Sequence, residues 1–297
     1  MRPMTVTTPI ADQSGLDGLR AEIDSIDRQM QELLIRRFEV TREVANLKQN
    51  QRSQNNWRPN RQAQLLRGLV TRHRGTCPQT ALIRIWQEIM GASLALQGPF
   101  SVGVALAESG DLWDLARDHF GNVATMGVVG PAPQVVGAVS EGDISVGVVP
   151  LPQDGEDRPW WRLIGVSTPG AGTDVQPVRV VARLPLFGAE GSRATAANDG
   201  FALARLTCEP SGDDRCLIAV ETNQEISRGG MTALAARLSA PTRVLASTAE
   251  GDGRWWLVEI DRFLPADTPS PFATEPQIRH YVHLGCYAAP HLDDATV

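Results

Sequence analysis

Residues 16–48 read LDGLRAEIDSIDRQMQELLIRRFEVTREVANLK, and their spacing decides the fold of the first third of the chain. The apolar residues Leu16, Leu19, Ile23, Ile26, Met30, Leu33, Val40, Val44 and Leu47 recur mostly at steps of three and four, and no Gly or Pro interrupts between Leu19 and Lys48. That period predicts one helix of about 30 residues, roughly 45 Å at 1.5 Å per residue. Such a helix cannot cover its own apolar stripe, so it calls for partner helices from a second copy of the chain.

The stretch ends on Lys48, the one lysine in a chain with 28 Lys and Arg residues. A bias of this kind replaces lysine wherever a bare positive charge is enough. It spares lysine where a compact, strongly hydrated ammonium does something a planar guanidinium cannot. Arg37 precedes Lys48 by 11 residues, three turns plus about 20°, so both lie on one stripe, while Arg20 falls about 100° away from Arg37 on another face.

Beyond the polar segment Gln49 to Asn56, a second helix is expected from Pro59, well placed in a first turn, to about His73, and a third from about Pro78 to Leu96. Arg61 opens the second helix, and Ser93 and Gln97 share a face of the third at i,i+4 spacing. Guanidinium forks, one ammonium and two neutral hydrogen-bonding groups suit a small molecule with two carboxylates.

Gly98 to Phe100 mark a change of style. The β-branched runs at 101–106, 144–151 and 178–184 alternate with helical stretches at 112–120 and 133–142, the signature of α/β architecture. A last unit reads strand (RCLIAVE), helix (GMTALAARL), two strands (TRVLAST, RWWLVEI) and a terminal helix-strand pair, the β-α-β-β-α-β order of ferredoxin-like folds. The expected organisation is a tail at 1–14, an all-α three-helix domain at 15–98, an α/β region at 99–212 and an α+β ferredoxin-like domain at 213–297.

With 42% hydrophobic and 21% charged residues, the 297-residue chain has the composition of a soluble globular protein. Its net charge of -6 is uneven: residues 1–98 hold 14 Lys/Arg against 9 Asp/Glu, and the remainder 14 against 25. The arginines of the basic half are dispersed along helices rather than clustered with aromatics, which favours an anionic small molecule over nucleic acid. Cys77, Cys208, Cys216 and Cys286 show neither paired nor metal-ligand spacing and read as reduced thiols; the five histidines form no ligand grouping. There is no apolar signal core and no run of 18 apolar residues, so no membrane partner and a cytoplasmic location are expected.

LDGLRAEIDSIDRQMQELLIRRFEVTREVANLK, then RPNRQAQLL, then IWQEIMGASLALQ, together resemble the all-helical chorismate mutase family over residues 16–97. The resemblance implies an intertwined helical homodimer that converts chorismate to prephenate with no cofactor and no metal. It assigns Arg37 and, across the dimer, Arg20 to carboxylates, and Lys48 to a carboxylate and the ether oxygen of the breaking bond. Arg61 would orient the binding loop, Ser93 would contact a carboxylate, and Gln97 would share the ether oxygen. The family has Glu, accepting from the substrate hydroxyl, where this chain has Gln62, and often an acidic residue where it has Arg58.

Residues 101–285 resemble a worn copy of the parts that follow the mutase in bifunctional mutase-prephenate dehydratases. The family's Gly-Thr-Phe-Ser appears as Gly110, Asp111, Leu112 and Trp113, its Glu-Asn-Ser as Pro152, Gln153 and Asp154, and its catalytic threonine as Ala204, beside a retained Arg205. The tail resembles an ACT-type regulatory domain whose phenylalanine-sensing Glu-Ser-Arg-Pro appears as Ala246, Ser247, Thr248 and Ala249. The expectation is a mutase with a catalytically silent extension. Its rival is a non-catalytic regulator that binds an aromatic amino acid or a partner enzyme. Trp113, Trp160, Trp161, Trp255 and Trp256 are expected to serve packing.

Overall fold

The structure, a computed structural model, describes residues 11–48, 55–106, 112–164, 176–189, 199–223, 226–237, 240–270, 272 and 274–293. The chain divides into two compact units, Met1–Arg52 and Ser53–Val297.

The first unit is helix α1 (Ala11–Lys48), 38 residues and about 57 Å long. It begins several residues before the apolar stripe does. Every stripe residue stays exposed, from 39% at Val44 to 77% at Leu47.

The second unit opens with α2 (Pro59–Arg72) and α3 (Gln79–Gln97), then runs β1 (Ser101–Ala105), α4 (Leu112–Phe120), β2 (Thr125–Gly130), α5 (Ala132–Glu141) and β3 (Val146–Pro150). A 3-10 turn (Trp160–Leu163) leads to β4 (Arg179–Leu184), β5 (Phe187–Ala189) and β6 (Gly200–Ala204). The last elements are β7 (Asp214–Asn223), α6 (Arg228–Ala235), β8 (Thr242–Glu250), β9 (Gly253–Ile260), β10 (Ile278–Ala288) and β11 (His291–Asp293).

The first sheet has the order β2-β1-β3-β6-β4, with β1 parallel to β2 and β3, and β6 antiparallel to β3 and β4. Its inner strands β1, β3 and β6 are buried almost throughout, as their short runs of Val, Ala and Gly require. The second sheet, β10-β7-β9-β8, is antiparallel, and its order, fourth-first-third-second along the chain, is the ferredoxin-like one.

One expected element fails. Between β9 and β10 the described residues form turns and no helix. The cause is plain in PADTPSPFATEP, where Pro265, Pro269, Pro271 and Pro276 each forbid helical hydrogen bonding. Strands β2 and β6 were not anticipated, because TMGVVG and GFALA are short and rich in small residues.

Helices α2 and α3 share a core with the sheets, since Ala63, Leu66 and Ile83 pack with Leu186 and Ala288. Arg67 fastens α2 further, donating to the Ser211 hydroxyl (3.0 Å) and to the carbonyls of Asp213 (2.8 Å) and Ala289 (2.9 Å). Four of the five tryptophans expected to pack are buried, and Trp113 is 37% exposed.

Two glycines set the packing distances. A Cβ on Gly91 of α3 would lie 2.0 Å from the Phe120 carbonyl oxygen, so α3 crosses the end of α4 in backbone contact. A Cβ on Gly285 of β10, at φ +143°, would lie 2.1 Å from the Val180 carbonyl oxygen of β4. Gly91→Ala and Gly285→Ala are each expected to cost at least about 1–3 kcal/mol. Gly137→Ala, in open space on α5, is expected to add about 0.5–1 kcal/mol. Urea midpoints of the three variants check both signs.

Candidate functional site

The seven expected site residues fall in both units. On α1, Arg20 is exposed and paired with Asp17 at 3.0 Å, one turn away. Arg37 is half-buried, its guanidinium 6.0 Å from the Phe38 ring, and burial pulls its pKa down from the ordinary arginine value. Lys48 is the last helical residue, and its side chain lies outside the described residues. Because α1 is continuous, the Cα positions of Arg37 and Lys48 share one stripe.

The other four lie on α2 and α3. The chain enters α2 through Asn55, whose Oδ1 accepts from the Trp57 backbone N–H at 3.0 Å, while Arg58 donates back to the carbonyls of Asn55 and Trp57 at 3.1 Å. This explains Arg58: with no acidic residue in the first turn of α2, its guanidinium satisfies loop carbonyls. Arg61 is exposed on the next turn.

Gln62 is buried, and its Oε1 accepts the Trp57 indole N–H at 2.7 Å. The oxygen that the family resemblance assigns to a substrate hydroxyl is thus engaged by a buried indole. A neutral amide meets that need without burying a charge, which a glutamate here would do. The resemblance lists this position as a departure; the packing supplies its reason.

On α3, the Ser93 hydroxyl donates to the Ile89 carbonyl at 2.7 Å, and Gln97 Nε2 donates to the Ser93 carbonyl at 3.1 Å. Asn56 Nδ2 donates to the Gln97 carbonyl at 3.0 Å, tying the end of α3 to the segment before α2. Ser93 and Gln97 therefore stand together, as their spacing predicts. Trp57, Asn55 and Asn56 were not picked out from sequence, although Asn-Asn-Trp before Arg-Pro is a turn signal.

Gln62 also lines a narrow crevice with Ala63, His119, Val181, Arg183 and Leu186. His119 packs edge-on against Trp57 and Phe120, and neither ring nitrogen has a hydrogen-bond partner among the described residues.

Several of the positions that resemble dehydratase residues have structural surroundings that can be described. Gly110 and Asp111 lie outside the described residues, Leu112 is buried at the start of α4, and Ala204 is a buried methyl in β6. Asp154 accepts from the Ser247 backbone N–H (2.8 Å) and hydroxyl (3.2 Å) and from Arg228 (2.5 Å). Gly155 donates to the Ser247 carbonyl and Thr248 to the Glu156 carbonyl, both at 3.0 Å, so this loop lies along β8 at Ser247 and Thr248.

Residues 19–98 match the family chorismate mutase type II. The chain is homologous to the bifunctional chorismate mutase/prephenate dehydratase of Pseudomonas aeruginosa, at 30% identity over 146 residues, 48% of this chain and 40% of that protein. The corresponding protein of Stutzerimonas stutzeri matches at 30% over 145 residues, 48% and 39% of the two chains. The matches thus span about two fifths of the length of these relatives. Among solved structures, the chain is similar to one titled "GqqA- a novel type of quorum quenching acylases" (TM-score 0.42, 15% identity, 65% of this chain and 96% of that one). It is also similar to prephenate dehydratase from Streptococcus mutans (0.40, 13%, 65% and 100%).

Enclosure pulls the His119 pKa from 6.5 down to about 4. Between those values the unfolded chain binds a proton that the folded one refuses, so stability present at neutral pH is lost as pH falls from about 6.5 to 4, on the order of 3 kcal/mol. His119→Phe, which keeps the ring contacts, is expected to lose less stability over that window; urea melts at pH 7, 5.5 and 4 read the difference.

Proposed function

We propose that the chain is a cytoplasmic chorismate mutase of aromatic amino acid biosynthesis, acting as a homodimer through α1, with a catalytically silent dehydratase-like extension. The observation that carries this reading is the match of residues 19–98 to chorismate mutase type II, a stretch that contains all seven candidate residues. No described helix is long and apolar enough to cross a membrane.

The rearrangement breaks a C–O bond and forms a C–C bond within one molecule. It moves no proton and needs no nucleophile, so the rate must come from holding a compact reactive conformer and from meeting charge that develops on the ether oxygen. Arg37 and Arg20 of the partner subunit hold the two carboxylates as forks, with Ser93 adding a hydrogen bond. By the family resemblance, Lys48 and Gln97 would serve the ether oxygen, the ammonium as a point charge on a flexible stem and the amide as a donor. Arg61 orients the loop around the substrate. Gln62 acts as a positioning residue, holding Trp57 and so the start of α2. The uncovered stripe of α1 supports the dimer that this arrangement needs.

The four-stranded sheet β10-β7-β9-β8 with α6 reads best as an ACT-like domain in its strand order, with its effector positions taken up by the loop at Asp154. Ala204 offers no hydroxyl for dehydration. The rival reading, a regulator without catalysis, is favoured by the engagement of the Gln62 oxygen with Trp57.

An absorbance assay of chorismate loss decides between them: turnover is expected, nearly flat between about pH 6 and 9 because no acid or base takes part. Lys48→Arg, which keeps the charge, is expected to lower kcat by about 100-fold or more. Absence of turnover, together with calorimetric binding of phenylalanine, tyrosine or tryptophan, would move the assignment to the regulator. Light scattering should give a dimer, and Ile26→Asp with Leu33→Asp a monomer.

A further inference from the structure

The second sheet holds a cluster that the mutase reading does not use. Cys216 lies on β7 directly opposite Cys286 on β10. His283 is three residues before Cys286, which in a regular strand would put it on the other face. The pairing shifts between His283 and Gly285, and this bulge returns His283 to the side of the two sulfurs. All three side chains are buried, and their ligand atoms lie within 4.8 Å of one another.

From these positions we infer a structural zinc site formed by Cys216, His283 and Cys286, with the Leu264 carbonyl oxygen in the fourth place. His283 Nε2 lies 3.2 Å from the Cys216 sulfur, 3.5 Å from the Cys286 sulfur and 2.9 Å from the Leu264 oxygen. The Cys286 sulfur is 3.1 Å from that same oxygen. One imidazole nitrogen has a single in-plane site, a proton or a lone pair, and cannot serve three partners at once. A cation among the four atoms can. Zinc bonds of about 2.3 Å to sulfur and 2.0 Å to nitrogen set a tetrahedral S···N edge of about 3.5 Å, close to both observed separations. The other ring nitrogen, Nδ1, has no hydrogen-bond partner among the described residues.

Two sulfurs and an imidazole select a borderline-soft ion over magnesium or calcium. Binding releases two thiol protons, and the two thiolates neutralise the dication, so the filled site buries no net charge. Its place gives it a purpose. Leu264 belongs to the proline-rich turns that stand where a ferredoxin-like fold has its second helix, and the ion would staple them to β7 and β10. The sequence hides the site because Cys216 and His283 are 67 residues apart.

The test is metal analysis of the full chain purified under reducing conditions without added metal. About one zinc per chain is expected in the wild type and in Cys77→Ser, whose sulfur is exposed, and at least tenfold less in Cys216→Ser and Cys286→Ser. Where a variant fails to fold, chelated wild type reconstituted with cobalt should show thiolate-to-cobalt charge-transfer bands, and zinc should raise its melting temperature. Wild-type protein with neither zinc nor cobalt bands, full zinc in both serine variants, or a Cys216–Cys286 disulfide in the reduced preparation would each overturn the site.

Discussion

A buried tryptophan must find an acceptor for its indole N–H, and much of the N-terminal part of the second unit follows from how Trp57 finds one. Its ring packs against His119 and Phe120 from α4, and its nitrogen donates to Gln62. Those contacts fix where α2 starts and which of its faces turns toward the sheets. Arg67, little more than one turn further along, then reaches the carbonyls of Asp213 and Ala289. A helix of a mutase-like sequence is in this way built into the α/β body. One unfilled hydrogen bond in that interior would cost about 1–3 kcal/mol, which is why the amide at position 62 is a structural choice as well as a chemical one.

Long periodic elements were legible in the sequence, and short ones were not. The stripe from Leu16 to Leu47, the LWDLARDHF helix and the strands RCLIAVE and RWWLVEI were read correctly because amphipathic period or β-branched content persists over many residues. Strands β2 and β6 escaped because tertiary contacts, not local propensity, make GFALA extended. The missing helix before β10 was a misreading of strand order as a guarantee of its crossovers, when four prolines argued otherwise.

The arrangement of the candidate residues was only partly legible in the sequence. Ser93 and Gln97 stand together because i,i+4 spacing dictates it. Gln62 has a partner that no spacing predicts, since Trp57 reaches it by doubling back across a turn. The cluster at Cys216, His283 and Cys286 was invisible for the same reason, as it exists only once β7 and β10 pair and the bulge sets their register.

The loop from Gln153 to Glu156 reaches β8 through its own carboxylate, with Asp154 seated on the Ser247 amide and Arg228. Any free amino acid aimed at those donors would face an intramolecular competitor. A tethered group acts at an effective concentration on the order of millimolar or above. A ligand directed at this edge would therefore have to displace a clasp of five hydrogen bonds that the chain makes with itself.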